Sequence, residues 1–410
     1  MAKHTKTPVV KFWGFNQNPF RDAPLRSNSL SLFTCREEEI ADLKDSLDNP
    51  LTGVYGSLGV GKTSFLNKAA QILSQGKDYN VVYVDLGHCT EANLYREFLR
   101  VLLERNREKT FKLRRGSAIN IKKELERLDS TLTASTTSKI GASAVLVADR
   151  SEESTKEINI HSEETARSKI SEIVQKVNAP LVVLVDDLEK VKYFLSDQAT
   201  AYLRAIASFT STFKDIENDL VSFVITLDDH FARLVEEERK AGSGAFSYSF
   251  GELLELRNFN PKELAEVIKI RLQTSDWCAQ LGDFISLHAF WLLVAATSGH
   301  PRKALAVLRE AMKFVHRHGL PKIINIESMM HGMSKTHYTL NEFDIAIISY
   351  LQKSGGASPS DEEFQRSVNL TRRSLSERLK VLLPKVNLNI TMASATSGKQ
   401  EYSLPPIPLE

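Results

Sequence analysis

Cysteine is scarce in this chain: Cys35, Cys89 and Cys278 stand far apart and form no C-x-x-C pair. That excludes both a disulfide framework and a zinc site of the usual spacing, and it fits a reducing compartment. Long apolar runs are missing as well. No stretch approaches the ~18 apolar residues of a membrane span, and residues 1–11 lack the apolar segment of a secretory signal. A cytoplasmic protein without a membrane partner is expected. An excess of one charge is also absent, since the formal net charge is only +2, so any affinity for nucleic acid must come from local patches. What remains is an ordinary globular composition, with 42% apolar and 25% charged residues, and a length of 410 residues that predicts two or three domains.

The strongest local pattern begins at 51. Leu51-Thr52-Gly53-Val54-Tyr55 reads as a short strand and runs into Gly56-Ser57-Leu58-Gly59-Val60-Gly61-Lys62-Thr63, the G-x-x-x-x-G-K-T form of a phosphate-binding loop. Ser64 and the residues after it place Phe65, Leu66, Ala69, Ala70 and Leu73 at helical spacing. Strand, loop and helix therefore come in the order this chemistry needs. Glycines let the backbone wrap phosphates, the helix start adds partial positive charge, Lys62 reaches the β- and γ-phosphates, and Thr63 offers its hydroxyl to Mg²⁺. ATP and Mg²⁺ are the expected cofactors.

A second acidic element is required to hold the metal and orient water. It is found in Pro180-Leu181-Val182-Val183-Leu184-Val185-Asp186-Asp187, where apolar residues predict a buried parallel strand delivering Asp186 to the metal and Asp187 to the water. Runs at 80–85 and 220–227 add two more strands, so a parallel α/β sheet is expected. Thr226 and Asp228, at the end of the second run, are candidates for sensing the γ-phosphate.

Together these pieces resemble the AAA+ ATPases, within them the branch of archaeal and eukaryotic origin-recognition proteins and helicase loaders. Asn18-Pro19-Phe20 and Arg36-Glu37-Glu38-Glu39 resemble that branch's N-terminal segment, which makes Arg36 a nucleotide-pocket residue. Ser298-Gly299-His300-Pro301-Arg302 looks like the lid motif whose arginine, here Arg302, reaches the γ-phosphate. An arginine finger falls in the stretch holding Arg233 and Arg239, where a solvated helix face is the plainer reading. The family carries Asp-Glu where this chain has Asp186-Asp187, and the shorter second carboxylate points to slow turnover.

From 337 onward three amphipathic helices and a hairpin resemble a winged helix. The third opens at Thr371 as N-cap, turns Leu375, Leu379 and Leu382 inward, and presents Arg372, Arg373, Arg378 and Lys380 outward, with Lys399 on the wing. Duplex DNA is the expected partner, together with further copies of the chain or partner ATPase or effector subunits. The expected architecture is α/β: an N-terminal segment 1–50 packing on the ATPase, a P-loop parallel-sheet core 51–257, a helical lid 258–336 and a C-terminal winged-helix domain 337–410. A Ser/Thr-rich insert at 129–168 has the alternation of a hairpin, either a plain surface insertion or a contact to DNA or a neighbour. Two other functions share these parts. One is a signalling ATPase of the STAND class, which oligomerises on ATP exchange; the other is an ATPase that delivers DNA to a transposase or nuclease.

Overall fold

The computed structural model describes residues 8–76, 78–90, 93–108, 113, 163–191, 209, 212, 219–242, 250–277, 280–392 and 400–407. Residues 129–162 of the expected insert, Cys278 and Lys399 lie outside them. In chain order the helices are α1 Val9–Trp13, α2 Glu37–Asp45, α3 Lys62–Gln75, α4 Leu94–Arg107 and α5 163–175, then α6 Asp229–Ala241, α7 Pro261–Gln273, α8 Leu281–Phe284, α9 Leu287–Thr297, α10 Pro301–His318, α11 Ile326–Lys335, α12 Glu342–Ser354, α13 Glu362–Val368 and α14 Arg372–Val386. The strands are β1 Leu51–Tyr55, β2 Asn80–Asp85, β3 Leu181–Asp186, β4 Val221–Leu227, β5 Glu252–Glu255, β6 Asn389–Met392 and β7 Gln400–Ser403. The chain divides into two units. One comprises 37–58 and 62–256; the other comprises 1–36, 59–61 and 257–410.

The first unit is built on a five-stranded, all-parallel sheet in the order β2-β3-β4-β1-β5. Every residue of β3 and β4 is buried, as expected of central parallel strands covered on both faces, and this is why both read as nearly unbroken apolar runs. The order sets β4 between β1 and β3, so Thr226 faces Val54 in register while its neighbour Ile225 faces Val185. A polar group at that strand end therefore stands between the phosphate loop and Asp186. Gly53 in β1 has a packing reason: a Cβ there would lie 2.5 Å from Leu253 Cδ2 and 2.7 Å from Leu227 Cδ1, side chains of the two flanking strands. The fifth strand, β5, has no counterpart in the sequence reading, because four residues with a glutamate at each end carry little apolar signal. Residues 163–168, the tail of the expected insert, are the start of α5. Glu163 there binds back to α4, accepting from Arg96 Nε at 2.9 Å and from the Tyr95 amide at 2.8 Å.

The second unit is helical. Its core runs without a break from Trp13, Phe15 and Phe20 through Phe284, Phe290 and Leu308 to Ile347, Phe364, Leu379 and Tyr402. Trp13 stacks on Phe15 and donates from Nε1 to the Met312 carbonyl at 3.3 Å. The buried Arg271 donates to the carbonyls of Pro19 and Arg21 at 3.1 and 3.2 Å. Residues 9–36 thus pack with the helices of their own unit, whereas a place on the ATPase core was expected for the whole of 1–50. Residues 37–50 do belong to the sheet unit. Likewise the core crosses the expected 336/337 boundary between lid and C-terminal domain. Gly332 permits the close approach of α11 to α10, since a Cβ there would stand 2.6 Å from the Val307 carbonyl oxygen.

At the C-terminal end, α12, α13 and α14 are followed by the antiparallel pair β6–β7, with Ala357 bridging to Tyr402 beside it. Thr371 caps α14, accepting from the Ser374 amide. The helix runs through Pro384 to Val386 and ends at Asn387 in the left-handed conformation, so β6 starts at Asn389, three residues later than the apolar pattern from Val386 implies. Among the described residues no helix is long and apolar enough to cross a membrane.

Candidate nucleotide site

The loop after β1 is shaped by three glycines. Gly56, Gly59 and Gly61 have φ of 151°, 93° and 116°, a region that favours residues without a Cβ. This turn brings the chain back so that α3 opens at Lys62 itself. Lys62 is buried; its Nζ donates to the Gly56 carbonyl at 2.7 Å and lies 3.6 Å from Glu189 Oε1. Ser57 and Ser64 are half-buried, Val60 is buried in the fold, and Leu58 projects into solvent with 68% exposure.

Asp186, the last residue of β3, is fully buried. Its Oδ2 accepts from the Tyr83 hydroxyl at 2.6 Å, and its Oδ1 accepts from the Thr226 hydroxyl at 3.1 Å and the Asp187 amide at 3.0 Å. The nearby Thr63 hydroxyl also favours the charged form of this carboxyl. Desolvation still raises the Asp186 pKa above the usual carboxylate value, against the lowering effect of these bonds. A cation would offset that cost directly. The Thr63 hydroxyl and the Asp186 carboxylate are hard oxygen donors of the kind Mg²⁺ takes alongside phosphate oxygens, so the residues fit the metal. Among the described residues no group of three or more His, Cys, Asp or Glu forms a dedicated metal cage.

The second carboxylate, Asp187, has a local partner. Asp187 takes a left-handed backbone, φ 60°, and its Oδ2 pairs with Lys190 at 2.6 Å. A Cβ on Gly87 would stand 3.0 Å from that same Oδ2, so glycine at 87 leaves Asp187 room. Two residues on, a 3₁₀ turn over Leu188–Lys190, pinned by the buried Leu188, carries Glu189 back to Lys62. Glu189 Oε2 lies 3.5 Å from Thr226 Oγ1. Burial pushes the Glu189 pKa up, and Lys62 pulls it back. Lys62, Thr63, Asp186, Thr226 and Glu189 thus converge at one end of the sheet. Tyr83, the partner of Asp186, and Glu189 were not singled out by sequence reasoning. Tyr83 gave no signal because its role depends on strand order; Glu189 lay in plain view of the motif, three residues past Asp186.

Other expected site residues either have local partners or stand exposed. Asp228 caps α6, accepting from the Phe231 amide at 2.7 Å, which accounts for its carboxylate without a phosphate. Arg239, the finger candidate, donates to the Phe250 carbonyl in its own unit. Arg36 is buried, lies 4.3 Å over the Phe259 ring and donates to the Arg257 carbonyl. Arg302 is exposed in the first turn of α10, behind Pro301 and the His300 cap. Residues 59–61 group with this helical unit, and a Cβ on Gly59 would lie 2.9 Å from Arg302 Cδ and Nε. Gly299 ahead of it has φ 70°, and any Cβ there would overlap the Phe259 carbonyl oxygen. On α14, Arg372, Arg373 and Lys380 are exposed, and Arg373 Nε meets Glu377 at 3.2 Å. Arg378 instead pairs with both carboxylate oxygens of the buried Asp344, tying α14 to α12; it is a tertiary link rather than an outward-facing contact.

A glycine-shaped loop opening a helix after β1, with a buried aspartate ending β3 and β4 between the two strands of a parallel sheet, defines a P-loop nucleoside triphosphatase. Residues 33–273, more than half the chain, match the family model described as an ATPase domain predominantly from Archaea. The chain belongs to that family and is an ATP-hydrolysing enzyme. Among solved structures it is similar to Cdc6p from Pyrobaculum aerophilum, at 12% identity over 94% of this chain and 96% of that one, with a TM-score of 0.50. The ORC2 protein of Aeropyrum pernix in its ADPNP-ADP complexes is 13% identical over 96% and 95% of the two chains, TM-score 0.44. The Aeropyrum pernix ORC1 protein in complex with DNA is 16% identical over 91% and 89%, TM-score 0.41. At such identities the Cdc6p likeness is one of fold alone. No curated protein matches the chain in sequence.

Proposed function

We propose that this ATPase binds duplex DNA and that its nucleotide state switches its assembly there, in the manner of an initiator or loader. The observation that carries the reading is the placement of Arg372 and Arg373, both exposed in the first turn of the third C-terminal helix. Leu375, Leu379 and Leu382 and the Arg378–Asp344 pair lock that helix into its unit. A helix so anchored, with a hairpin after it, supports the reading of a winged helix, a domain that lays the N-terminal side chains of its third helix near base edges. Lys380 adds charge on the exposed side. In the sheet unit, Lys62 would meet the β- and γ-phosphates, and Thr63 and Asp186 would hold Mg²⁺, which neutralises charge on the phosphate oxygens. Thr226, hydrogen-bonded to Asp186, orients that carboxylate. The assembly is of further copies of this chain or of partner subunits, with Arg302 responding to the nucleotide.

The test is duplex-DNA binding titrated against salt with ATP, ADP or no nucleotide. Each phosphate neutralised contributes about 0.9 to the slope of log affinity against log salt. The Arg372→Ala/Arg373→Ala double variant should bind more weakly, with the slope smaller by up to about 2. Negligible binding by the wild type at low salt in every nucleotide state would refute the proposal.

A further inference from the structure

We propose that Glu189, and not Asp187, is the carboxylate that positions the attacking water and takes its proton. The proposal rests on ATP hydrolysis at this site. Lys62 marks where the γ-phosphate must come, because a P-loop lysine reaches the β- and γ-phosphates. Glu189 Oε1 stands 3.6 Å from Lys62 Nζ, and its other oxygen is 3.5 Å from Thr226 Oγ1. A carboxylate there is about one water molecule from the phosphorus that will be attacked. Asp187 has neither property. Its Oδ2 is held by Lys190 at 2.6 Å, its left-handed backbone fixes its direction, and it borders Gly87 rather than Lys62.

Local structure explains the exchange of roles. A carboxylate directly after a strand-end aspartate would need extended backbone to continue along the strand, but at Asp187 the chain turns. The 3₁₀ turn over Leu188–Lys190, anchored by Leu188 and Val191 in the core, returns residue 189 to the sheet end. Glutamate's extra methylene then carries the carboxylate to Lys62. A carboxylate has about four acceptor positions, so the contacts with Lys62 and Thr226 leave room for a water.

The step balances simply. Water's oxygen forms a bond to the γ-phosphorus as the bond from that phosphorus to the β–γ bridging oxygen breaks. The bond pair leaves with ADP, and a proton of the water passes to Glu189. Lys62 must at the same time move its charge from Glu189 toward the phosphate.

Steady-state ATPase rates and binding of a fluorescent ATP analogue to the full-length protein decide the matter. Glu189→Gln should lose at least ~100-fold in kcat, within the range for removing a general base, while the analogue's Kd stays within ~5-fold of wild type. Asp187→Asn should stay within ~5-fold in kcat. Glu189→Asp keeps the charge and withdraws the carboxylate by one methylene; it should bind the analogue normally and turn over at least ~10-fold more slowly, which separates chemistry from folding. The assignment fails if Glu189→Gln turns over within ~5-fold of wild type, or if Asp187→Asn loses as much as Glu189→Gln. It also fails if Glu189→Gln and Glu189→Asp lose nucleotide affinity in place of rate, because Glu189 then only holds Lys62. A wild type that binds the analogue without turning over ATP overturns the hydrolysis reading and this assignment together; a wild type that turns over ATP while Glu189→Gln does so equally overturns the assignment alone.

Discussion

Lys62 spends its charge on a carbonyl and a carboxylate within its own unit, so a nucleotide must compete with Glu189 for it. With that ammonium removed, the loop keeps its glycine-shaped backbone but loses a buried cation at this end of the sheet. Lys62→Ala should abolish ATP binding in equilibrium dialysis or calorimetry; retained micromolar affinity would mean that nucleotide binds elsewhere. Cys89 poses a simpler question. It is fully buried, and desolvation with Glu97, Asp85 and Glu163 nearby pushes its thiol up to about 12. The thiolate is the reactive form, so Cys89 should resist a thiol reagent such as DTNB at pH 8 in the native protein and react on unfolding. Rapid native labelling at Cys89, located by peptide mapping, would contradict the burial. At this scale the sequence was informative wherever the chemistry is local: the loop from Gly56 to Thr63 and the strand ending at Asp186 declare themselves by order and composition. Tyr83 did not, because its partner lies 103 residues away across a strand pairing. At Asp187, adjacency to Asp186 did not reveal the left-handed turn.

Among the elements, the joint between α9 and α10 shows most plainly what a single residue type can decide. Ser298 and Gly299 both have positive φ, His300 caps, and Pro301 starts the next helix. The Phe259 amide donates to the Gly299 carbonyl at 3.1 Å, and the Phe259 oxygen fills the space a Cβ would need. Arg36 rests on the Phe259 ring. Gly299→Ala should therefore cost about 1–3 kcal/mol through backbone strain and overpacking, read as a lower thermal midpoint; a variant as stable as wild type would mean that the 257–260 segment yields freely. The order of strands was not legible, and neither was β5, for want of apolar residues. The helices of the C-terminal region were, because their leucines recur at helical spacing. The exception was the outward assignment of Arg378, where the buried partner Asp344 sits 34 residues earlier and its own sequence neighbourhood gives no hint of it.

For the whole molecule, acid is a lever on stability. His288 on α9 hydrogen-bonds the Ser349 hydroxyl on α12 at 2.8 Å, and burial holds its pKa below the ordinary 6.5. Below that value the unfolded chain takes up a proton that the folded chain refuses, so the imidazole subtracts stability progressively as pH falls from 6.5 toward its folded pKa. His288→Gln keeps a polar partner for Ser349 without the titration. Its thermal midpoint should drop less between pH 7.5 and 5.5 than that of the wild type, and an equal drop would remove His288 from the account.

Trp13 and Tyr402 lie in one core, while residues 37–58 and 62–256 fold as another unit between them. The chain therefore reaches the ribosome exit in an awkward order. Trp13, Phe15 and Phe20 emerge early, yet the helices that cover them are encoded only after residue 256. At about 5–20 residues per second, the roughly 240 residues between Phe20 and the first of those helices leave these aromatic side chains uncovered for at least roughly 10–50 seconds. Throughout that interval they are a natural foothold for a chaperone, and a nascent chain arrested in the sheet unit would carry them exposed indefinitely.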